Sequence, residues 1–298
     1  MLLRMLLIMA ALTAPAFAAD PAAPPAGARE QAMRQAAAAA RAALVRGPAE
    51  VTLRDQASLA LPEHFGFVPQ QQAAALMRAM GNRTSDNFLG LIVPQQESSD
   101  WFVSVNYQDS GYIKDDDARH WDADKLLQSL KDNTDAANEE RTKAGVPALV
   151  VTRWIEPPAY EAETHRLVWS AEARRKDGAD SDPTINYNTY LLGREGYLSL
   201  NLITSASSVD QDKPAARELL AAVNFNSGKR YGDFNSSTDK VAAYGLAALV
   251  AGVAAKKLGL LALLAAMAVK FAKIIAVAVA ALIVATKRWF KGRVGRTA

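Results

Sequence analysis

The chain has 298 residues, half of them apolar and 22% charged, which excludes wholesale disorder and allows a sizeable core. It has no cysteine, which excludes disulfides, thiolate zinc sites, cysteine-held iron–sulfur clusters and thiol nucleophiles. The net charge of +3 is uneven: residues 19–238 carry 23 Lys and Arg against 30 Asp and Glu, and residues 239–298 carry 10 against 1. An acidic body with a basic, apolar tail argues against nucleic acid as a partner and for a lipid bilayer at the tail.

Residues 1–18 read MLLRMLLIMAALTAPAFA. One Arg, a short apolar stretch and Ala16-Phe17-Ala18 have the form of a secretory signal peptide cleaved after Ala18. Export of a cysteine-free acidic domain suits a bacterial periplasm. Residues 19–48 open as a linker, ADPAAPPAGA, and continue as an Ala-rich helix over 29–45. Its apolar face is weak, so loose packing or none is expected, and Gly47-Pro48 ends it.

The folded body is expected over 49–238. Val51, Leu53, Leu59 and Leu61 read as two short strands around a turn near Asp55. Ala74, Leu76, Met77 and Met80 have helical spacing over 70–80. Trp101, Val103, Val105 and Tyr107 share one face of a strand. A helix over 122–141 buries Leu126, Leu127 and Leu130, while its second half, KDNTDAANEERTK, looks solvated. Four strands follow over 148–155, 166–174, 184–192 and 197–204, the last two joined by a hairpin at residues 193–196. A short amphipathic helix runs over 214–223. The pattern predicts an α+β fold, an antiparallel sheet with helices on one face.

Residues 239–298 read as a membrane anchor with a basic C-terminus. Residues 271–290 are long enough for one span, flanked by Lys273 and by Lys287, Arg288 and Trp289. Residues 241–255 are a shorter candidate, and using both would make a hairpin. Residues 232–240 form a polar juxtamembrane segment that would supply N-cap residues to the tail helix. A weaker possibility is oligomerisation of the tail through Gly245 and Gly252, whose spacing is seven rather than four.

The search for chemistry yields little. The run Asp115-Asp116-Asp117 lacks the alternation and the turn glycine of a calcium loop, and reads as a polar turn with an N-cap Asp. No two of His64, His120 and His165 have helical metal-pair spacing, although His165-Arg166 could act as an acid–base pair. Nucleophile-elbow, phosphate-loop, dinucleotide and zincin motifs are absent. Glu97, Glu156, Glu161, Glu163 and Glu195 could supply a hydrolytic carboxylate pair, but their spacing selects none. Trp154-Ile-Glu-Pro-Pro-Ala-Tyr160 reads as a stiff aromatic loop, either a docking surface or a corner between strands. No catalytic, cofactor-binding or metal-ligating residue is assigned, and no cofactor is expected.

The stretches GYIKDDDA, RWIEPPAYEAETHRLVWS, NYNTYLLGREGYLSLNLI and GKRYGDFNSSTDKVAAYGLAALVAG resemble an uncharacterised bacterial family of membrane-anchored proteins. The resemblance covers roughly residues 51–252 and departs at Tyr190, where the family pattern leads one to expect Arg. It implies an anchor and no activity. The sheet followed by a late helix is also similar to the small α+β domains of photosystem accessory proteins, as a fold analogy. Function is therefore expected to be a periplasmic binding or interaction domain on the bacterial inner membrane, with another envelope protein or a ligand as partner. The alternative is a carboxylate-dependent envelope hydrolase. N-terminal sequencing of the mature protein should begin at Ala19; finding Met1 there would remove the signal peptide.

Overall fold

The computed structural model describes residues 26–251, apart from 97–98, 144–145 and 179–180. The chain divides into two units, Met1–Val253 and Ala254–Ala298, and the second lies outside the described residues. So do the signal-type segment 1–18 and the expected span 271–290. Among the described residues no helix is long and apolar enough to cross a membrane.

Helix α1 (Ala26–Ala42) leads into β1 (Val45–Arg46), β2 (Ala49–Leu53), β3 (Ala57–Leu61) and β4 (Phe65–Pro69). Then come α2 (Gln70–Ala79), β5 (Phe88–Pro94) and β6 (Phe102–Gln108). A 3-10 turn (Asp116–Arg119) precedes α3 (Ala123–Lys143). The strands β7 (Leu149–Glu161), β8 (Arg166–Arg175), β9 (Thr184–Leu192) and β10 (Tyr197–Ser205) follow in close order. Helix α4 (Val209–Ala222), β11 (Val223–Phe225), a 3-10 turn (Tyr231–Asp233) and α5 (Ala247–Ala251) complete the described chain.

Eight strands form one antiparallel sheet in the order β1-β4-β5-β6-β10-β9-β8-β7, and β11-β3-β2 form a small second sheet. Residues opposite each other in register share a face. Phe67, Ile92, Val103, Leu202 and Tyr187 therefore lie on one face, in one core with α4 and the small sheet. The second face is covered at its two ends. Val68, Phe88 and Leu91 pack with α1 and α2, while Leu167, Trp169 and Ala171 pack with α3 and α5. The α+β class and the antiparallel sheet stand, but the helices occupy both faces. A sheet this wide is apolar on both sides over much of its area, so one helical layer cannot cover it.

Four further differences have local causes. Strands β4 and β5 have no counterpart in the sequence reading, because FGFVP and FLGLIVP are buried on both faces and so do not alternate. Residues 154–160 are not a loop. They belong to β7, whose register with β8 shifts between Glu156 and Ala159, so Pro157 and Pro158 sit in an irregularity on an edge strand. Helix α1 packs on α2 through Ala36 and Ala40, whose small side chains allow close approach. The second half of α3 is mostly exposed, as expected, but Thr134 and Asn138 in it are buried. Asn138 Nδ2 donates to the Leu149 carbonyl and its Oδ1 accepts from the Leu149 N–H, both at 2.8 Å, so one amide satisfies the start of β7.

Residues 241–251, expected in the tail, pack on the body. Val241 bridges Tyr112, and Leu246, Leu249, Val250 and Ala251 are buried with Leu130 and Trp169. Leu246→Ala should cost about 2–5 kcal/mol and lower the melting temperature of the body by several degrees. A chain cut after Phe234 should melt below one cut after Ala251, as followed by circular dichroism. Equal melting would return these residues to the tail.

Candidate functional site

The turn between β7 and β8 is tight enough to put His165 in the left-handed backbone region, with φ +54°. A β-carbon is strained there, and such residues persist only where the surroundings hold them. Here the hold is explicit. The His165 carbonyl accepts from the Leu192 N–H at 3.0 Å, and its ring lies 4.1 Å from the Tyr231 ring. Tyr231 stacks on Tyr112 at 4.4 Å, and Tyr112 stacks on Phe234 at 3.9 Å, giving a run of four rings. The Tyr231 hydroxyl donates to the Ile113 carbonyl at 2.8 Å.

Tyr160, at the end of β7, closes the cluster. Its hydroxyl donates to Asp115 Oδ2 at 2.7 Å and lies 3.1 Å from His165 Nδ1, which is itself 3.9 Å from Asp115 Oδ2. The proton count sets the tautomer. Tyr160 has one proton and gives it to the carboxylate, so His165 Nδ1 must carry a proton to bond Tyr160 Oη, which leaves Nε2 as an acceptor. Burial, reinforced by Asp115, pushes the Tyr160 hydroxyl far above its ordinary value. Burial does the same for Tyr231, and its hydrogen bonding with Tyr112 adds to the effect. Burial also lowers the His165 pKa, against the opposing pull of Asp115. At neutral pH the cluster is thus one carboxylate held by neutral hydrogen-bonding rings.

The next acid in the run does different work. Asp117 accepts from the backbone N–H groups of Leu246 at 3.2 Å and Ala247 at 2.9 Å, capping α5 from far away in the chain. Gly245 is needed there, because a β-carbon at that position would overlap the Asp117 carboxylate. Tyr112 N–H donates to the Lys240 carbonyl, and Ala242 N–H donates to the Tyr112 carbonyl, both at 2.8 Å. Arg194 grips Asp239 through two bonds of 2.7 and 2.8 Å, and holds that carboxyl well below the usual carboxylate range. The polar segment 232–240 is therefore clamped to the body and does not cap α5; Asp117 does. A cleft of ≈ 390 Å³ opens beside this junction, lined by Lys114, Asp116, Asp117, Ala242, Ala243, Tyr244 and Gly245.

The remaining sequence candidates are scattered. His64 Nε2 lies 3.1 Å from Glu218 Oε2 on the opposite face of the sheet, and His120 is exposed after the first 3-10 turn. Among the described residues no group of three or more His, Asp or Glu could hold a metal ion. Glu156 is engaged by Arg217 and Tyr187, Glu161 by Thr164, and Glu195 by Lys229 and Gln56; Glu163 is exposed. Glu97 lies outside the described residues. Hydrogen bonding from Lys229 lowers the Glu195 pKa, the wrong direction for a general acid. Trp154 is turned inward, donating from Nε1 to the Ala123 carbonyl at 3.1 Å. The run 115–117 does not cap the helix that follows it: Asp122 caps α3, accepting from the Asp124 and Lys125 N–H groups at 3.0 and 3.2 Å. Tyr112, Tyr160, Tyr231 and Phe234 were missed as cluster members. The only hint was that each sits beside a Gly or a charged run in the stretches that carry the family resemblance.

The His165 pKa sets a pH dependence. The folded state binds this proton less readily than the unfolded chain, whose His titrates near 6.5. The contribution is complete above about pH 6.5 and is lost as pH falls toward the folded value. His165→Asn removes the proton and keeps a residue that tolerates left-handed backbone. Its melting temperature should fall less than that of the unaltered chain between about pH 7 and about pH 5. Equal slopes in calorimetry would show that His165 does not contribute.

No curated protein matches the chain. The solution structure of cyanobacterial PsbP (CyanoP) from Synechocystis sp. PCC 6803 is 10% identical, with 62% of this chain and 94% of that chain covered at a TM-score of 0.37. A mutant of the protein Mog1 is 10% identical, with 59% and 94% covered at 0.35. At those scores neither bears on the site. The family model described as protein of unknown function (DUF2167) matches residues 45–282, most of the chain, and the chain belongs to that family.

Proposed function

We propose that this is a bacterial envelope protein whose apolar tail holds it to the inner membrane, with the α+β body facing the periplasm as a binding and interaction domain. The observation that carries the reading is the junction between body and tail. Residues 239–251 are clamped by Arg194, capped by Asp117 and buried with α3. The described chain thus approaches the tail through packed structure rather than through a linker.

Two points support binding over the hydrolase alternative. The described glutamates named above that are buried enough to matter already have cationic or hydroxyl partners. Among the described residues, the carboxylate beside the His165 ring is that of Asp115, which Tyr160 already occupies. A single crossing is also supported. Residues 241–251 are used by the body, so a hairpin would lack the apolar stretch for its first crossing. The test is crosslinking in intact cells combined with reporter fusions on the same chain. A phosphatase at the C-terminus should be inactive and a fluorescent protein bright, and discrete crosslinked adducts of the body should form only when the tail is present. An active phosphatase, or adducts indifferent to the tail, would overturn the reading.

A further inference from the structure

The run Asp115-Asp116-Asp117 has one member that the fold does not use. Asp115 accepts from Tyr160, and Asp117 caps α5. The Asp116 side chain is exposed and makes no hydrogen bond or ion pair with another described residue. The same holds for Lys114, two residues earlier. The two charges do not pair with each other either, although both line the cleft of ≈ 390 Å³ beside the junction of body and tail. The rest of the cleft wall beyond Asp117 is small or aromatic: Ala242, Ala243, Tyr244 and Gly245. Asp117 requires glycine at 245, and Ala243 is exposed, so this wall stays open.

A free ammonium and a free carboxylate lining one cleft match a ligand that carries both charges. We propose that this cleft binds an ethanolamine phosphate group, either as a phospholipid headgroup or as a soluble ester. Lys114 offers three donors and no acceptor, which suits phosphate oxygens. Asp116 only accepts, which suits a primary ammonium. A trimethylammonium has no N–H to give, so choline is the poorer fit. A bare anion is repelled by Asp116 and a bare cation by Lys114, so neither is matched alone. The alanines and Tyr244 offer apolar surface to the ethylene link between the two charges. The cleft has the size of a small-ligand pocket. Its position also suits a lipid. Leu246 and the five residues of α5, about 7 Å at 1.5 Å per residue, are all that separate Gly245 from the end of the described chain. The lipid as source rests on the reading of the tail as an anchor, whereas the chemistry of the cleft does not.

The experiment titrates the full chain in phosphatidylglycerol nanodiscs, which carry no competing zwitterion, with glycerophosphoethanolamine and glycerophosphocholine. Calorimetry gives the readout. The ethanolamine ester should bind saturably, about tenfold more tightly than the choline ester. Lys114→Gln, which removes the cation, and Ala243→Leu, which fills the cleft, should each weaken it about tenfold. Asp116→Asn should abolish the preference over choline. All three positions are exposed, so melting temperatures should not change. Native mass spectrometry of the chain released from nanodiscs of mixed phosphatidylethanolamine, phosphatidylcholine and phosphatidylglycerol separates the sources. Phosphatidylethanolamine retained by the unaltered chain and lost from Lys114→Gln assigns the lipid; soluble binding without retention assigns the soluble ester. The proposal is overturned if the ethanolamine ester does not bind, if the choline ester binds equally well, or if binding survives the three substitutions. The anchor reading fails separately, by absence of the chain from every nanodisc, and the same titration of the chain in solution then decides the cleft.

Discussion

Asp115 and Asp117 lie two residues apart and hold parts of the molecule that are distant in sequence. Asp115 accepts from Tyr160 at the β7–β8 hairpin, and Asp117 accepts from the N–H groups that begin α5. Just before them, the Ile113 carbonyl accepts from the hydroxyl of Tyr231. One short turn therefore fixes the hairpin, the second 3-10 turn and the root of the tail against each other. A capping carboxylate is worth about 0.5–2 kcal/mol, so no single bond dominates. The constraint is geometric: if the turn moves, the strained His165 loses its stack and the apolar residues of 246–251 lose their seat.

The electrostatics of this hub favour structure over turnover. Titratable rings there are pushed toward their neutral forms, and the carboxylates already receive hydrogen bonds. A general acid–base pair needs two groups whose acidities are pushed apart toward the working pH. The paired charges elsewhere have the same static character. Glu172, almost fully buried, is held below its ordinary value first by the hydrogen bond from Arg174 and then by Thr152, with Arg153 adding attraction.

How much of this could be read beforehand depends on which physical signal each segment carries. Strands β9 and β10 were legible because NYNTYLL and YLSLNLI are bounded by Gly193 and Gly196, a strong hairpin signature. Segment 154–160 was misread because Pro normally argues against a strand, and nothing local reveals that β7 is an edge strand with a bulge. The second half of α3 looked solvated because Asn138 is polar; its burial is paid for by a backbone partner supplied only once β7 is in place. The role of Asp117 was hidden for the same reason. A cap supplied across the fold leaves no local spacing to find, and only Gly245 marks the close approach.

The same accounting separates two kinds of polar group on the second face of the sheet. In the hub, the Tyr160 and Tyr231 hydroxyls and the Leu246 and Ala247 N–H groups each meet an acceptor that tertiary folding brings to them, so their polarity is explained by the fold. In the central row of that face, Asn188 stands between Asn201 and Trp169 in register, and the Trp169 indole N–H faces the Tyr190 hydroxyl. The difference lies in where the partners come from: in the hub they come from distant elements, whereas in this row Asn106 bonds Ser104 and Asn188 bonds the Asn186 carbonyl within single strands.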